Sequence, residues 1–179
     1  MLAFWFVDGA LYAFKDTIGS VLMALVFGGS LLAGRPLLGA FVAQVLDPRT
    51  PGQEASLERL FSERHVAKIL LVSTAMVASL NAVTALINFL LNLWIVTAPF
   101  GTGEFNFQVA RVNAITRLTL GIPEFLAMGL AIWWIIYSLY SRLYSRMPDV
   151  AGQRSFWELV ETYDPRGKGP TTQHSEHTR

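Results

Sequence analysis

ILLVSTAMVASLNAVTALINFLLNLWIVT, residues Ile69–Thr97, runs for 29 residues without one formal charge and follows directly on Lys68. At 1.5 Å rise per residue, a helix of this length is roughly 43 Å long, more than the ~30 Å hydrocarbon core of a bilayer. It can therefore cross a membrane with tilt or with one end protruding. Asn81, Asn88 and Asn92 interrupt it. At 100° per residue they fall within a narrow arc, with Thr74, Ala78 and Ala85 on the same stripe. The predicted helix has one small-and-polar face, and the remainder is Leu, Ile, Val and Phe. In a bilayer such a face seeks other helices, because small side chains allow close approach and amides bond across the gap.

The rest of the composition agrees with this reading. Of 179 residues, 53% are hydrophobic and 15% charged, against about 25% charged in ordinary soluble chains. Mean hydropathy is +0.41. The apolar residues come in long runs rather than at amphipathic spacing. A net charge of +1 gives no electrostatic pull toward nucleic acid. With no cysteine, disulfide, thiolate and thiol-metal chemistry are excluded. Met1–Val7 has no basic start, so it does not read as a cleavable signal peptide.

The predicted fold class is all-α: an integral membrane helical bundle of about three transmembrane helices plus interfacial helices. Residues 1–14 read as an apolar N-terminal interfacial segment, divided by Asp8-Gly9. The membrane domain covers 15–141, with spans at about 17–34, 69–97 and 120–141. Asp16 or Thr17 is expected to cap the first span. Two ridges on it, Ser20/Ala24/Gly28 and Gly29/Ala33, suit close packing. Arg35-Pro36 ends the span, and Pro36 can open an interfacial or re-entrant helix at 36–46.

A polar cytosolic connector follows at 47–64, in which Leu57, Leu60 and Phe61 line one side of a short helix that can run into the second span. Phe100–Gln108 reads as a glycine-containing turn. Gly121-Ile122-Pro123 is expected to kink or start a helix. Trp133, Trp134, Tyr137, Tyr140 and Tyr144, with Arg142 and Arg146, form an interface belt with basic anchors. The tail 142–179 is polar and expected to be mostly disordered. Its one island is Ser155-Phe-Trp-Glu158, a capping-box pattern.

Basic residues set the expected orientation. Arg35, Arg49, Arg59, Arg64 and Lys68 flank or occupy the connector, and the tail carries six more, whereas Thr97–Gln108 has none. The positive-inside bias places connector and tail in the cytoplasm and the N-terminus outside, in the inner membrane. Arg111 and Arg117 on the outer side run against the bias unless they pack within the bundle.

The candidate intramembrane polar site consists of Glu124, Arg117, Asn81, Asn88 and Asn92. Charged groups at membrane depth cost ~2.5–3.5 kcal/mol on insertion scales and usually face the interior. These residues can form a site for protons or solutes, or a polar clasp that fixes helix register. His174 and His177 form an HxxH with no third ligand beside it, so no metal is expected, and no cofactor motif, HExxH helix or nucleophile elbow occurs. A non-enzymatic protein is expected. Its partners are the lipid bilayer and, through helix contacts, its own copies or other envelope membrane proteins, with no nucleic acid. The alternative is a small transporter-like unit, acting as an oligomer around Glu124.

Phe14-Lys15-Asp16-Thr17-Ile18-Gly19-Ser20 and the later Phe27-Gly28-Gly29-Ser30-Leu31-Leu32-Ala33-Gly34-Arg35-Pro36-Leu37-Leu38 resemble the bacterial intracellular septation protein A group. In that group an apolar, glycine-containing helix ends in a Gly-basic-Pro-Leu element. Leu80-Asn81 is similar to a Leu-Asn there, and Thr102–Gln108 resembles its polar-aromatic turn. The similarity covers about Phe14–Tyr140, and the long connector departs from it. The resemblance implies a small inner-membrane protein of cell-envelope organisation or septation, with no catalytic residues to carry over.

Overall fold

The computed structural model describes residues 9–148 and 154–163, and these are helical with no strand among them. The elements in order are α1 (Gly9–Leu32), α2 (Leu37–Leu46), α3 (Pro51–Phe61), α4 (Arg64–Ile95), α5 (Gly103–Thr116), a π-helical turn (Arg117–Gly121), α6 (Ile122–Arg146) and α7 (Phe156–Thr162). Three helical segments are long and apolar enough to cross a bilayer: Tyr12–Leu32, Arg64–Ile95 and Gly103–Arg146. Residues 1–8 of the N-terminal segment and most of the tail, including His174 and His177, lie outside the described residues.

α4 is the axis. Its enclosed residues, Val66, Leu70, Ser73, Val77, Asn81, Thr84, Asn88 and Asn92 among them, recur every three or four positions. That spacing is one face of a helix. The polar stripe expected on this segment is thus the face turned inward. α1 packs along α4, and α6 packs beside it. Leu38 and Val42 of α2 are fully enclosed. They join Phe27 of α1, Leu70 and Val77 of α4, and Ile135 and Leu139 of α6 in one cluster. α2 therefore plugs one end of the bundle, here called the connector end. At the opposite, far end, Val96, Phe105 and Val112 form a second cluster, with Tyr12 edge-on to Phe105 at 5.5 Å.

Several boundaries differ from the sequence expectation, each for a local reason. No cap stands at Asp16 or Thr17, because α1 already runs from Gly9. The Thr17 hydroxyl instead donates to the Ala13 carbonyl one turn back, at 2.7 Å. Pro36 is the residue before α2 rather than its first member, at φ −54° and ψ 120°. Gly34 takes φ +68°, a left-handed angle suited to glycine where a helix ends. The Ser30 hydroxyl accepts the Leu37 N–H at 3.1 Å, so this side chain begins α2.

Thr50 caps α3 by accepting the Gln53 N–H. Ser62 and Glu63 separate α3 from α4, so the two do not merge. The turn after α4 is shorter than expected, because Thr102 caps α5 by accepting the Phe105 N–H at 3.1 Å. The Gly121–Pro123 break is absorbed by the π-helical turn, and Pro123 follows in the first turn of α6, so the segment Gly103–Arg146 continues for 44 residues. Proline has no N–H to donate, and a widened turn spares the clash with the carbonyl before it.

Candidate functional site

The asparagine stripe is partly gathered into a site. Asn88 and Asn92 both donate through Nδ2 to Oδ2 of Asp16 on α1, at 3.3 and 3.2 Å. Asn88 also reaches the Asp16 carbonyl at 3.4 Å. Asn92 donates in addition to Oδ1 of Asn88, at 3.1 Å, and to its carbonyl, at 2.9 Å. Asn92 is fully enclosed, and its Oδ1 finds no donor among the described residues. Asn81 is also buried, but its amide bonds Val77 of its own helix at 2.9 Å. It does not join the other two. Asp16 is the member of this polar cluster that the sequence reading placed only as a helix cap. Its signal was a charge inside an apolar run, which a cap explained equally well.

Glu124 and Arg117 do not complete this site. Arg117 is exposed on the π-helical turn. Glu124 is half-buried, and its Oε1 is enclosed without a hydrogen-bond partner among the described residues. The ion pairs formed among those residues are Asp47–Arg49 and Glu63–Arg142. Seven residues of straight helix would already separate Arg117 and Glu124 by about 10 Å along the axis, and the π-helical turn changes their relative facing as well.

A second polar cluster closes the connector end. Glu63 precedes α4, and its Oε1 accepts from Arg142 of α6 through Nε at 2.7 Å and through Nη2. Its Oε2 accepts from the Tyr163 hydroxyl, just past α7, at 2.7 Å. Burial by itself would raise the Glu63 carboxyl. Hydrogen bonds from Arg142 and Tyr163, with the charges of Arg142 and Arg146, outweigh this and hold it below the usual carboxylate value. Burial and the bond to Glu63 push the Tyr163 phenol up.

α7 is built as its sequence requires. The Ser155 hydroxyl accepts the Glu158 N–H at 3.4 Å, and the Glu158 carboxylate accepts the Ser155 N–H at 3.2 Å. Leu159 and Val160, each 1% exposed, sit in the core cluster with Leu60 of α3. This island of the tail is thus a docked part of the bundle.

Two apolar grooves open along α4. One, of about 880 Å³, runs between α4 and α6 from Leu71 to Val83 and from Trp134 to Ala127. The other, of about 470 Å³, lies between α1 and α4, with Ala24, Ala82 and Ala85 among its small residues and Phe14, Leu25, Leu86 and Phe89 among its large ones. Among the described residues no group of three or more His, Cys, Asp or Glu could hold a metal ion. No family model, curated protein or solved structure matches the chain.

Proposed function

We propose that this chain is a multi-pass membrane protein that acts without a reaction of its own, by lateral association of its helices with further copies of itself in cell-envelope organisation. The observation that carries this reading is the α1–α4 groove. Ala24, Ala82 and Ala85 let another helix approach, while the larger residues supply contact area. Gly28 and Gly29 on α1 add a small-residue surface on which a Cβ would meet nothing within 4 Å. One copy thus offers a groove and a smooth ridge on the same helix. The septation-type resemblance, carried by Gly34-Arg35-Pro36-Leu37-Leu38, supports the envelope role.

The membrane is the inner one in this reading, with connector and tail in the cytoplasm. Arg35, Arg49, Arg59, Arg64, Lys68, Arg142 and Arg146 belong to the connector end, whereas the far end has Lys15, Arg111 and Arg117. The native chain has no cysteine, so single cysteines report cleanly. Gly103→Cys should label from outside, and Gly52→Cys only after permeabilisation.

Association is tested by cross-linking through a cysteine at Leu25, which is 65% exposed beside the groove. Membranes should give a disulfide-linked dimer. Ala82→Leu, at an exposed position on the groove, should abolish it, as should Ala24→Leu. A dimer unchanged in both variants would overturn the assembly reading.

A second reading is favoured by the enclosed, unpartnered Oε1 of Glu124 beside the π-helical turn, since such turns often mark functional positions. In it an oligomer passes a proton or solute at Glu124. Flux through reconstituted protein that is unchanged by Glu124→Gln would remove this role.

A further inference from the structure

The groove between α4 and α6 does not end in apolar wall. At its connector end it meets a polar pocket of about 200 Å³ lined by His65, Tyr137, Ser138, Ser141, Arg142 and Ser145. Trp134 lines both spaces. One cleft between two helices is therefore apolar over one stretch and polar over the next. Its polar part is also the positive one. Its lining includes His65 and Arg142 and no carboxylate, and Arg64, Lys68 and Arg146 are exposed on the neighbouring turns of α4 and α6. Arg142 directs Nε and one Nη2 hydrogen to Glu63, which leaves three of the five guanidinium N–H groups for another acceptor. The hydroxyls of Ser138 and Ser145 are spent as donors on the Trp134 and Ser141 carbonyls, so the donors left for an anion in this pocket come from Arg142, Ser141 and His65.

Length separates the possible occupants. From Leu71 to Val83 the apolar groove runs about 18 Å along α4, close to half of a ~30 Å hydrocarbon core. A crossing helix would fill the apolar stretch but bring no group for the polar pocket. A lipid of a single leaflet needs one apolar half and one polar end, in that order. We propose that the α4–α6 cleft is a binding site for one anionic phospholipid of the connector-side leaflet, with an acyl chain in the groove beside Trp133 and Trp134 and the phosphate at His65, Ser141 and Arg142. Basic pockets between helices on the cytoplasmic side are where such head groups bind. The inference rests on the membrane reading above.

The test is fluorescence quenching of the full chain in phosphatidylcholine vesicles holding a minor fraction of phosphatidylglycerol, with bromine placed on the acyl chains of one lipid or the other. Brominated phosphatidylglycerol should quench in excess of its mole fraction, and the excess should vanish when Trp133 and Trp134 are both changed to Phe. His65→Glu should weaken the preference by roughly fivefold, the factor one charge near an anionic surface is worth. Ser79→Phe, at an exposed groove position, should lower the excess by narrowing the groove.

Equal quenching by both lipids, with the protein floating with the vesicles, would overturn the site and leave the membrane reading intact. Failure to float would overturn both. Loss of the excess on adding inorganic phosphate would identify a bare anion pocket and refute the chain-binding half.

Discussion

Two carboxylates stand at opposite ends of this bundle and are held by different chemistry. At the far end Asp16 is met by the neutral amides of Asn88 and Asn92. At the connector end Glu63 is met by a guanidinium and a phenol. The first joins two long helices, α1 and α4. The second ties α4 to α6 and secures α7. Amides orient a carboxylate by hydrogen bonding alone and bring no opposite charge to it. A guanidinium cancels the charge, so the connector end holds a charge-balanced pair with a phenol beside it. Changes at the two ends should therefore fail differently. Charge removal should matter most at Glu63, and amide removal most at Asp16.

The largest effect is expected from Arg142→Ala. It leaves Glu63, whose side chain is 12% exposed, with the Tyr163 hydroxyl alone. Breaking an enclosed pair costs ~3–5 kcal/mol and an exposed pair under about 1 kcal/mol. The pair here lies between these limits, so a loss of about 1–3 kcal/mol is expected. It should appear as faster proteolysis after residue 147 and a shift in Trp157 fluorescence, with α1–α4 packing unaltered. A variant whose tail stays as protected as in the native chain would show that the ion pair contributes nothing to docking.

Acid should mimic that change. The Glu63 carboxyl titrates below its ordinary value when folded, so its stabilisation is present above about pH 4.3 and is lost as pH falls through the lowered value. The Tyr163 phenol is raised, so its share is full below about pH 10 and is lost as pH rises through the raised value. Docking of α7 should hold between these limits and weaken on both sides. Tail proteolysis across pH is the measurement. In Arg142→Ala the acid limb should be reduced. An acid limb of unchanged size there would assign it to another group.

At the far end Asn92→Leu should cost about 1 kcal/mol, near the upper part of the range measured for side-chain hydrogen bonds between membrane helices. Asn92→Asp should cost more, because it sets a second carboxylate beside Asp16. Thermal unfolding in detergent, with a cross-link reporter between α1 and α4, distinguishes the two. Equal losses would mean that the second carboxylate adds nothing to the loss of the amide.

What was legible in the chain follows from distance along it. Apolar runs and their period announce long helices, because each residue's contribution is local. The inward face of α4 was readable from Asn81, Asn88 and Asn92 for the same reason. So was the cap of α7, since Ser155 and Glu158 lie within one turn. The carboxylate sites were not readable. Asp16 meets Asn88 across 72 positions, Glu63 meets Arg142 across 79 and Tyr163 across 100. Only helix packing brings these groups together, and nothing in the spacing of a single chain encodes which face of α1 or α6 turns toward α4. Gly121–Pro123 was also readable locally: a kink or helix start is expected there, and the π-helical turn ends at Gly121 with α6 beginning at Ile122.

The smallest expected effect is at the hydroxyl that completes the connector-end set. Tyr163→Phe removes one hydrogen bond to a charged acceptor but keeps the ring. Such bonds contribute about 1.5–3 kcal/mol at best. Here Arg142 still satisfies Glu63, and Leu159 and Val160 stay enclosed, so the loss should fall below about 1 kcal/mol. The basic limb of the pH profile should disappear in this variant, because the group that loses its proton there has been removed, while the acid limb remains. If the basic limb persisted in Tyr163→Phe, another group would be setting it, and the division of the clasp into a charged partner and a neutral one would be wrong. If instead Tyr163→Phe matched Arg142→Ala in size, the phenol rather than the guanidinium would be the main hold on Glu63, and the contrast between the two ends of the bundle would reduce to one of depth alone.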